Sequence, residues 1–308
     1  MRYTFPLPAA LRAQTVTTQA LRELDISRFR AHRRDMTAVS RGIYLWTPDQ
    51  DQAGELQRLR ALSNSLPQCC VSDSTAAKVH GVTLPWEIAD DDAVHLTQPA
   101  GTSSRIRRPG ITSHRRAIDA HDLVLRHGLV LTTPARTWFD LAEVCSLQSL
   151  VQLGDHLVRQ PRFRFEGRHV PHASLQELQA VVDRAGRVKG KRKAKEAVTL
   201  IRVGADSFRE TEARLRIIQA GLPEPQLQVR PFPGCPYPAD MGYTEWKIAI
   251  QYDGGHHFTP EQARRDQQRD NAFFSAGWVL LRWNAEHARD GFATGIRQLG
   301  SLLQQRRS

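Results

Sequence analysis

An apolar segment, Lys247-Ile248-Ala249-Ile250, runs directly into Gln251-Tyr252-Asp253-Gly254-Gly255-His256-His257, and Asp240 lies eleven residues before Gln251. Such a pattern delivers carboxylate, amide and imidazole groups to the ends of adjacent strands. Oxygen ligands of this kind hold hard cations such as Mg²⁺ or Mn²⁺, and a cation so held polarises a phosphate and activates water. Metal-dependent phosphodiester chemistry is one use for the cluster. Folding supplies another, because Asp253-Gly254-Gly255 is also an ordinary turn, with His256 and His257 in a solvated loop. Spacing alone leaves both open.

The elements that must position these groups follow from periodicity. Ser207 to Gly221 reads as a helix with Phe208, Leu215, Ile217 and Ile218 on one face, ended by Gly221-Leu222-Pro223. Three strand candidates come next: Leu227 to Phe232, Tyr237 to Tyr243 and Lys247 to Asp253. A charged helix from Pro260 to Gly277, a strand from Trp278 to Trp283 and a closing helix from Glu286 to Gln304 complete the segment.

This order, together with Ser207-Phe208-Arg209-Glu210-Thr211, Gly221-Leu222-Pro223, Asp240, Tyr252 to His257, Asp266 with Arg269, and Gly277 to Arg282, resembles the core of the PD-(D/E)XK nucleases. More closely it resembles the Vsr-like family of bacterial proteins related to very-short-patch-repair endonucleases. The resemblance implies a restriction-endonuclease-like α/β core with Mg²⁺ or Mn²⁺ held by Asp240, Gln251 and Asp253, and Glu210 contributing from the first helix. His256 or His257 would assist proton transfer. Arg269 and Arg282 would face the scissile phosphate, although an ion pair with Asp266 accounts for Arg269 equally well. One departure stands out: the family usually carries Glu where this chain has Gln251, and an amide lacks the charge that binds a hard cation well. The site is therefore either weakened or catalytically retired.

The N-terminal residues carry a second signal. Thr17 to Leu24 reads as a helix, and Ser27 caps a second one bearing Arg28, Arg30, His32, Arg33 and Arg34. Met36 to Trp46 alternates like a hairpin, with Arg41-Gly42-Ile43-Tyr44 as one strand. Helix, turn, basic helix and hairpin is the winged helix-turn-helix order, which offers its second helix to the major groove. With Val39-Ser40-Arg41-Gly42-Ile43-Tyr44, the pattern resembles the N-terminal domain of AbiEi-like abortive-infection antitoxins. That resemblance implies DNA contacts from Arg28, Arg30, Arg33, Arg34 and Arg41, and a toxin or defence-system protein as a further partner. The following α+β stretch, with a capped helix at Ser72 to Gly81, strands at Val94 to Thr97, Ile111 to Arg115 and Leu129 to Thr132, and a helix opened by Thr133-Pro134, resembles the next region of the same proteins. Its histidines, His80, His95, His114, His121 and His127, look scattered, and no catalytic constellation is expected there. Arg105 to Arg116 reads as a basic hairpin.

The division expected is a winged helix-turn-helix at 1–50, a middle α+β domain at 51–160, a basic helical linker at 161–204 and a Vsr-like nuclease domain at 205–308, an α+β and α/β multidomain chain. The formal charge of +11 suits a polyanion such as DNA. Arginine dominates the basic residues, and its flat fork fits phosphates and guanine edges, although genome base composition offers a plainer account. The basic run Arg184 to Lys195 serves either as a solvated linker or as a phosphate contact. Cys69, Cys70, Cys145 and Cys235 match no metal or disulfide spacing. No apolar run approaches a membrane span and Met1 to Pro6 lacks a signal-peptide pattern, so the chain reads as cytoplasmic. The leading expectation is a DNA endonuclease; the alternative is an antitoxin-like regulator whose nuclease-like domain only grips nucleic acid.

Overall fold

The computed structural model describes residues 15–33, 35–46, 54–66, 68–162, 166–254 and 260–307. Arg34, His256 and His257 lie outside them. The chain divides into two compact units, residues 1–141 and 142–308, each mixing helices with sheet, and the described residues form three sheets.

The first unit opens with β1 (Thr15–Thr17), α1 (Thr18–Glu23), a 3₁₀ helix (Arg28–His32), β2 (Met36–Ser40) and β3 (Ile43–Trp46). The Thr17 hydroxyl accepts from the Ala20 N–H and starts α1. The three strands pair antiparallel in the order β1-β3-β2, and Val16, Leu21, Ala31 and Tyr44 close a small core beneath them. The second helix expected from Ser27 onward is only the five-residue 3₁₀ segment. Ser27 does cap it, but Arg33 is already extended (φ −83°, ψ 158°) because the chain must turn into β2.

The same unit continues with α2 (Glu55–Ser65), β4 (Cys70–Val71), α3 (Asp73–His80), α4 (Trp86–Ala89), β5 (Val94–Pro99), β6 (Ile111–Arg116), β7 (Leu123–Arg126), β8 (Leu129–Thr132) and α5 (Pro134–Leu141). Gly81 ends α3 in the left-handed region (φ +75°), where its N–H reaches back to helix carbonyls. The five-stranded sheet runs β6-β5-β4-β8-β7. Leu96, Leu129, Leu131 and Val71 form its core with Leu59 of α2 and Ala76 of α3. Residues 105–116 are not a hairpin: β6 pairs parallel with β5, so the arginine-rich stretch is a crossover. Gln98 fastens that crossover, accepting from the Ile106 N–H and donating to the Ser104 carbonyl.

The second unit contains α6 (Leu147–Val158), α7 (Leu175–Arg184), α8 (Lys191–Leu200), α9 (Phe208–Gln219), β9 (Gln226–Val229), β10 (Ala239–Tyr243), β11 (Ile248–Asp253), α10 (Pro260–Ser275), β12 (Val279–Asn284), α11 (Ala285–Arg289) and α12 (Ala293–Arg307). The sheet order is β12-β11-β10-β9, with β11 and β12 parallel and the other pairs antiparallel. Part of the basic run is built into the fold. Gly190 sits at φ +80° and a Cβ there would lie 2.7 Å from the Ala142 backbone, while Lys193 donates to the Cys145 carbonyl. The single closing helix expected from Glu286 is broken at Gly291 and Phe292, both at positive φ, which drops Phe292 into the core beside Trp283. All four cysteines are free thiols, and burial pushes Cys70 up to about 12. Among the described residues no helix is long and apolar enough to cross a membrane.

A buried ion pair fixes α9 to α6. Arg214 donates to Asp155 at 2.8 Å with both side chains essentially inaccessible, and Asp155 also accepts from the Thr211 hydroxyl and the Arg202 N–H. Removing one partner of such a pair strands the other without compensation. Asp155→Ala is expected to destabilise the second unit by about 3–5 kcal/mol. A urea midpoint within error of the unchanged protein would show that the pair is not a structural tie.

Candidate functional site

Helix α9 and strands β10 and β11 converge on three polar side chains. The Ser207 hydroxyl caps α9 by accepting from the Glu210 N–H at 3.2 Å, which sets Glu210 in the first turn. Its carboxylate in turn accepts from the Ser207 hydroxyl and the Asp206 N–H, both at 2.8 Å. On β10, Asp240 accepts from the Tyr252 N–H at 2.7 Å. Met241 pairs with Ile250, so one step further along the ladder Asp240 faces Gln251. The Gln251 amide hydrogen-bonds Asp240, and its own carbonyl oxygen is buried with no hydrogen-bond partner.

Electrostatics strains this polar cluster. Burial raises the pKa of Glu210, and the neighbouring Asp240 charge raises it further. Burial likewise raises Asp240, against the Tyr252 N–H, the Arg269 charge and the Gln251 amide, which favour its ionised form. Two adjacent buried carboxyls cannot both ionise cheaply without a cation. With the orphaned Gln251 oxygen they make an oxygen-rich donor set of the kind a hard divalent ion takes. The capping contacts of Glu210 are also those of an ordinary helix start, so its placement alone is not functional; the Asp240 and Gln251 neighbours distinguish it.

Asp253 and Arg269, also expected at the site from the sequence, each hold ion-pair partners of their own. Asp253 ends β11 in an ion pair with Arg282 (2.7 Å), which also holds Asp270 (2.6 Å), so one guanidinium is shared between two carboxylates. Arg269 pairs with Asp266 at 2.7 Å while its charge still acts on Asp240. Two groups were not singled out from the sequence. Asp206 lies beside Glu210, and Arg162, ion-paired to Asp206, feels both acids electrostatically. Arg162 precedes the segment by more than forty residues, and no local periodicity links it to α9.

In the first unit Arg28, Arg33 and Arg41 are exposed, whereas Arg30 is buried and donates to both Asp35 oxygens at 2.8 and 2.6 Å. These bonds hold the Asp35 carboxyl below its ordinary value. The histidines of the middle region are not all scattered. His95 and His114 stack at 5.2 Å between ring centres, beside Asp73. Residues 95 and 114 look unrelated in sequence because their strands are parallel neighbours joined by a long crossover.

No protein-family model matches the chain. It is similar to an uncharacterised protein of Mycobacterium tuberculosis strain CDC 1551 and to one of strain H37Rv, each 25% identical over 245 residues, 78% of this chain and 82% of theirs.

Because the folded-state pKa values of Glu210 and Asp240 are raised, the folded protein binds these protons more tightly than the unfolded chain. That contribution is present at low pH and is lost as pH rises through the raised values. Without metal, Asp240→Asn, which can still accept from Tyr252, is expected to stabilise the protein near pH 8 by about 1–2 kcal/mol. The gain should shrink towards pH 5. Equal or lower melting temperature for the variant at pH 8 would show that the acids do not repel.

Proposed function

We propose that residues 205–308 form a Vsr-like core of the PD-(D/E)XK kind that hydrolyses DNA with Mg²⁺ or Mn²⁺. The observation carrying this reading is the buried Glu210, Asp240 and Gln251 cluster, whose orphaned amide oxygen lies beside two buried carboxyls. Helix α9, three strands, α10 and a parallel fourth strand give the element order that the resemblance requires. When bound, the ion would supply Lewis acidity at the phosphate and a more acidic water.

The chain's own residues do the positioning. Asp240 is oriented by the Tyr252 N–H, and Glu210 by Ser207 and Asp206, so both carboxyls point where they are set rather than where solvent would take them. Arg269 and Arg162 bring positive charge to the same acids and are suited to holding a phosphodiester there. Arg282 is shared between Asp253 and Asp270, which gives it a structural role before any phosphate contact. His256 or His257 would exchange the proton of the attacking water.

The first unit is assigned to DNA binding as an AbiEi-like winged helix with its α+β companion. Exposed Arg28, Arg33 and Arg41 provide the contacts, and Arg30 shapes the turn through Asp35. A toxin or defence-system protein remains the further partner proposed. A second reading, a DNA-binding regulator with a retired nuclease-like core, is favoured by Gln251 in place of a carboxylate and by the ion pair that engages Asp253.

Two measurements test these readings. Purified protein is expected to cut plasmid, linear duplex or single-stranded DNA slowly with Mg²⁺ or Mn²⁺, and Asp240→Asn to abolish cutting while retaining DNA binding. Gln251→Glu should lower the Mg²⁺ needed, each tenfold gain in affinity corresponding to about 1.4 kcal/mol. If neither wild type nor Gln251→Glu cuts any DNA form while both bind it, the regulator reading replaces the enzyme. For the first unit, replacing Arg28, Arg33 and Arg41 by Ala should flatten the log–log salt dependence of DNA binding by roughly one for each lost phosphate contact. An unchanged slope would place the DNA elsewhere.

A further inference from the structure

In the first unit, His95 of β5 and His114 of β6 lie on one face of the sheet. The strands are parallel with Thr97 opposite His114, so the two rings sit diagonally, two residues out of register. His95 Nδ1 and His114 Nε2 are 2.9 Å apart, and His114 Nε2 lies 3.6 Å from Asp73 Oδ2. All three ligand atoms fall within 4.8 Å of one another. Atoms bound to one tetrahedral Zn²⁺ at about 2.0–2.1 Å stand about 3.3 Å apart, between the two spacings observed.

The surroundings orient each group towards the others. His95 Nε2 meets Asp91 Oδ2 at 2.7 Å, which places the ring proton there and turns the Nδ1 lone pair towards His114. Asp91 is itself fixed by the Ala93 N–H and the Ser74 hydroxyl. Arg116 donates to both Asp73 oxygens, at 2.6 and 3.0 Å, and fixes that carboxylate while leaving Oδ2 a further lone pair. Asp73 holds a left-handed backbone (φ +51°), a conformation that non-glycine residues adopt at a cost and that aims its side chain at the strands. Two imidazole nitrogens at 2.9 Å need a proton or a cation between them. Asp73 Oδ2, 3.6 Å from His114 Nε2, supplies a third donor that a metal ion can share with both rings and a single proton cannot.

We propose that Asp73, His95 and His114 form a binding site for a divalent transition-metal ion, with Zn²⁺ as the ion it takes. Two imidazoles select Zn²⁺ over Mg²⁺, and the three ligands with Asp91 behind His95 reproduce a carboxylate–histidine–metal arrangement. Three protein ligands leave one tetrahedral position for water or a substrate atom. His114 is the most accessible of the three, with its side chain 22% exposed, so that position opens towards solvent. The site is separate from the Glu210–Asp240 cluster and does not depend on the nuclease reading.

The test uses the full chain stripped of metal. Co²⁺ as a spectroscopic probe and Zn²⁺ against a chromophoric chelator should each give one tight site per chain. His95→Gln and His114→Gln should lose the visible Co²⁺ absorption and weaken Zn²⁺ binding at least tenfold. Asp91→Asn, which keeps all three ligands, should weaken it about 10–100-fold. His121→Gln, at an exposed position, and Asp240→Asn should keep both signals, which separates this site from the proposed nuclease centre. A second measurement needs no variant: Zn²⁺ should protect His95 and His114 of the unaltered protein from diethyl pyrocarbonate, read by mass spectrometry. Zn²⁺ binding equal in wild type and His114→Gln, or modification of the two histidines unaffected by Zn²⁺, overturns the proposal.

Discussion

The second unit is organised around two carboxyl groups held close together in a place that solvent barely reaches. Glu210 arrives from the first turn of a helix and Asp240 from the second residue of a strand, and among the described residues neither accepts a hydrogen bond from a basic side chain. Bringing them together costs free energy that an apolar pair would not require. Such an arrangement persists only where the surrounding structure over-determines it. Here a helix cap, a strand-to-strand hydrogen bond and the fixed register of β10 on β11 do so.

The same logic runs outward to α6. Glu210 keeps its position because α9 cannot rotate, and α9 cannot rotate because Arg214 is locked onto Asp155 in the interior. Thr211, next to Glu210, donates to that same aspartate. One face of the helix thus carries the strained acid while the adjacent face carries a buried ion pair. The core behind them, with Ile217, Met241, Ile250, Trp283 and Phe292, supplies the apolar burial that offsets both.

Much of this was legible in the sequence, and what was not has a physical reason. Ser207 as a helix start, Gly221 as its end and the three strands follow from capping and alternation, which are local, whereas the nearness of Asp240 to Gln251 was only implied by the resemblance and is set by the register of β10 on β11. The break at Gly291 and Phe292 was missed because a continuous helical pattern hides a turn that serves to bury one aromatic ring. Asp253 looked equivalent to Asp240, yet the parallel pairing of β11 with β12 brings Arg282 alongside and engages it. Arg30 looked like its exposed neighbours until Asp35, five residues on, drew it inward. The Asp73, His95 and His114 cluster was invisible for the strongest reason: a parallel crossover makes neighbours of residues that no local period connects.

The central claim is that Glu210, Asp240 and Gln251 form a seat for a hard cation. Calorimetric titration of Mn²⁺ at pH 8 into the wild type and Asp240→Asn, both carrying His95→Gln to silence the other cluster, addresses it most directly. The account predicts a binding event in the Asp240 protein that the Asn protein lacks. Identical titrations would mean that the two buried acids share a proton rather than hold a metal.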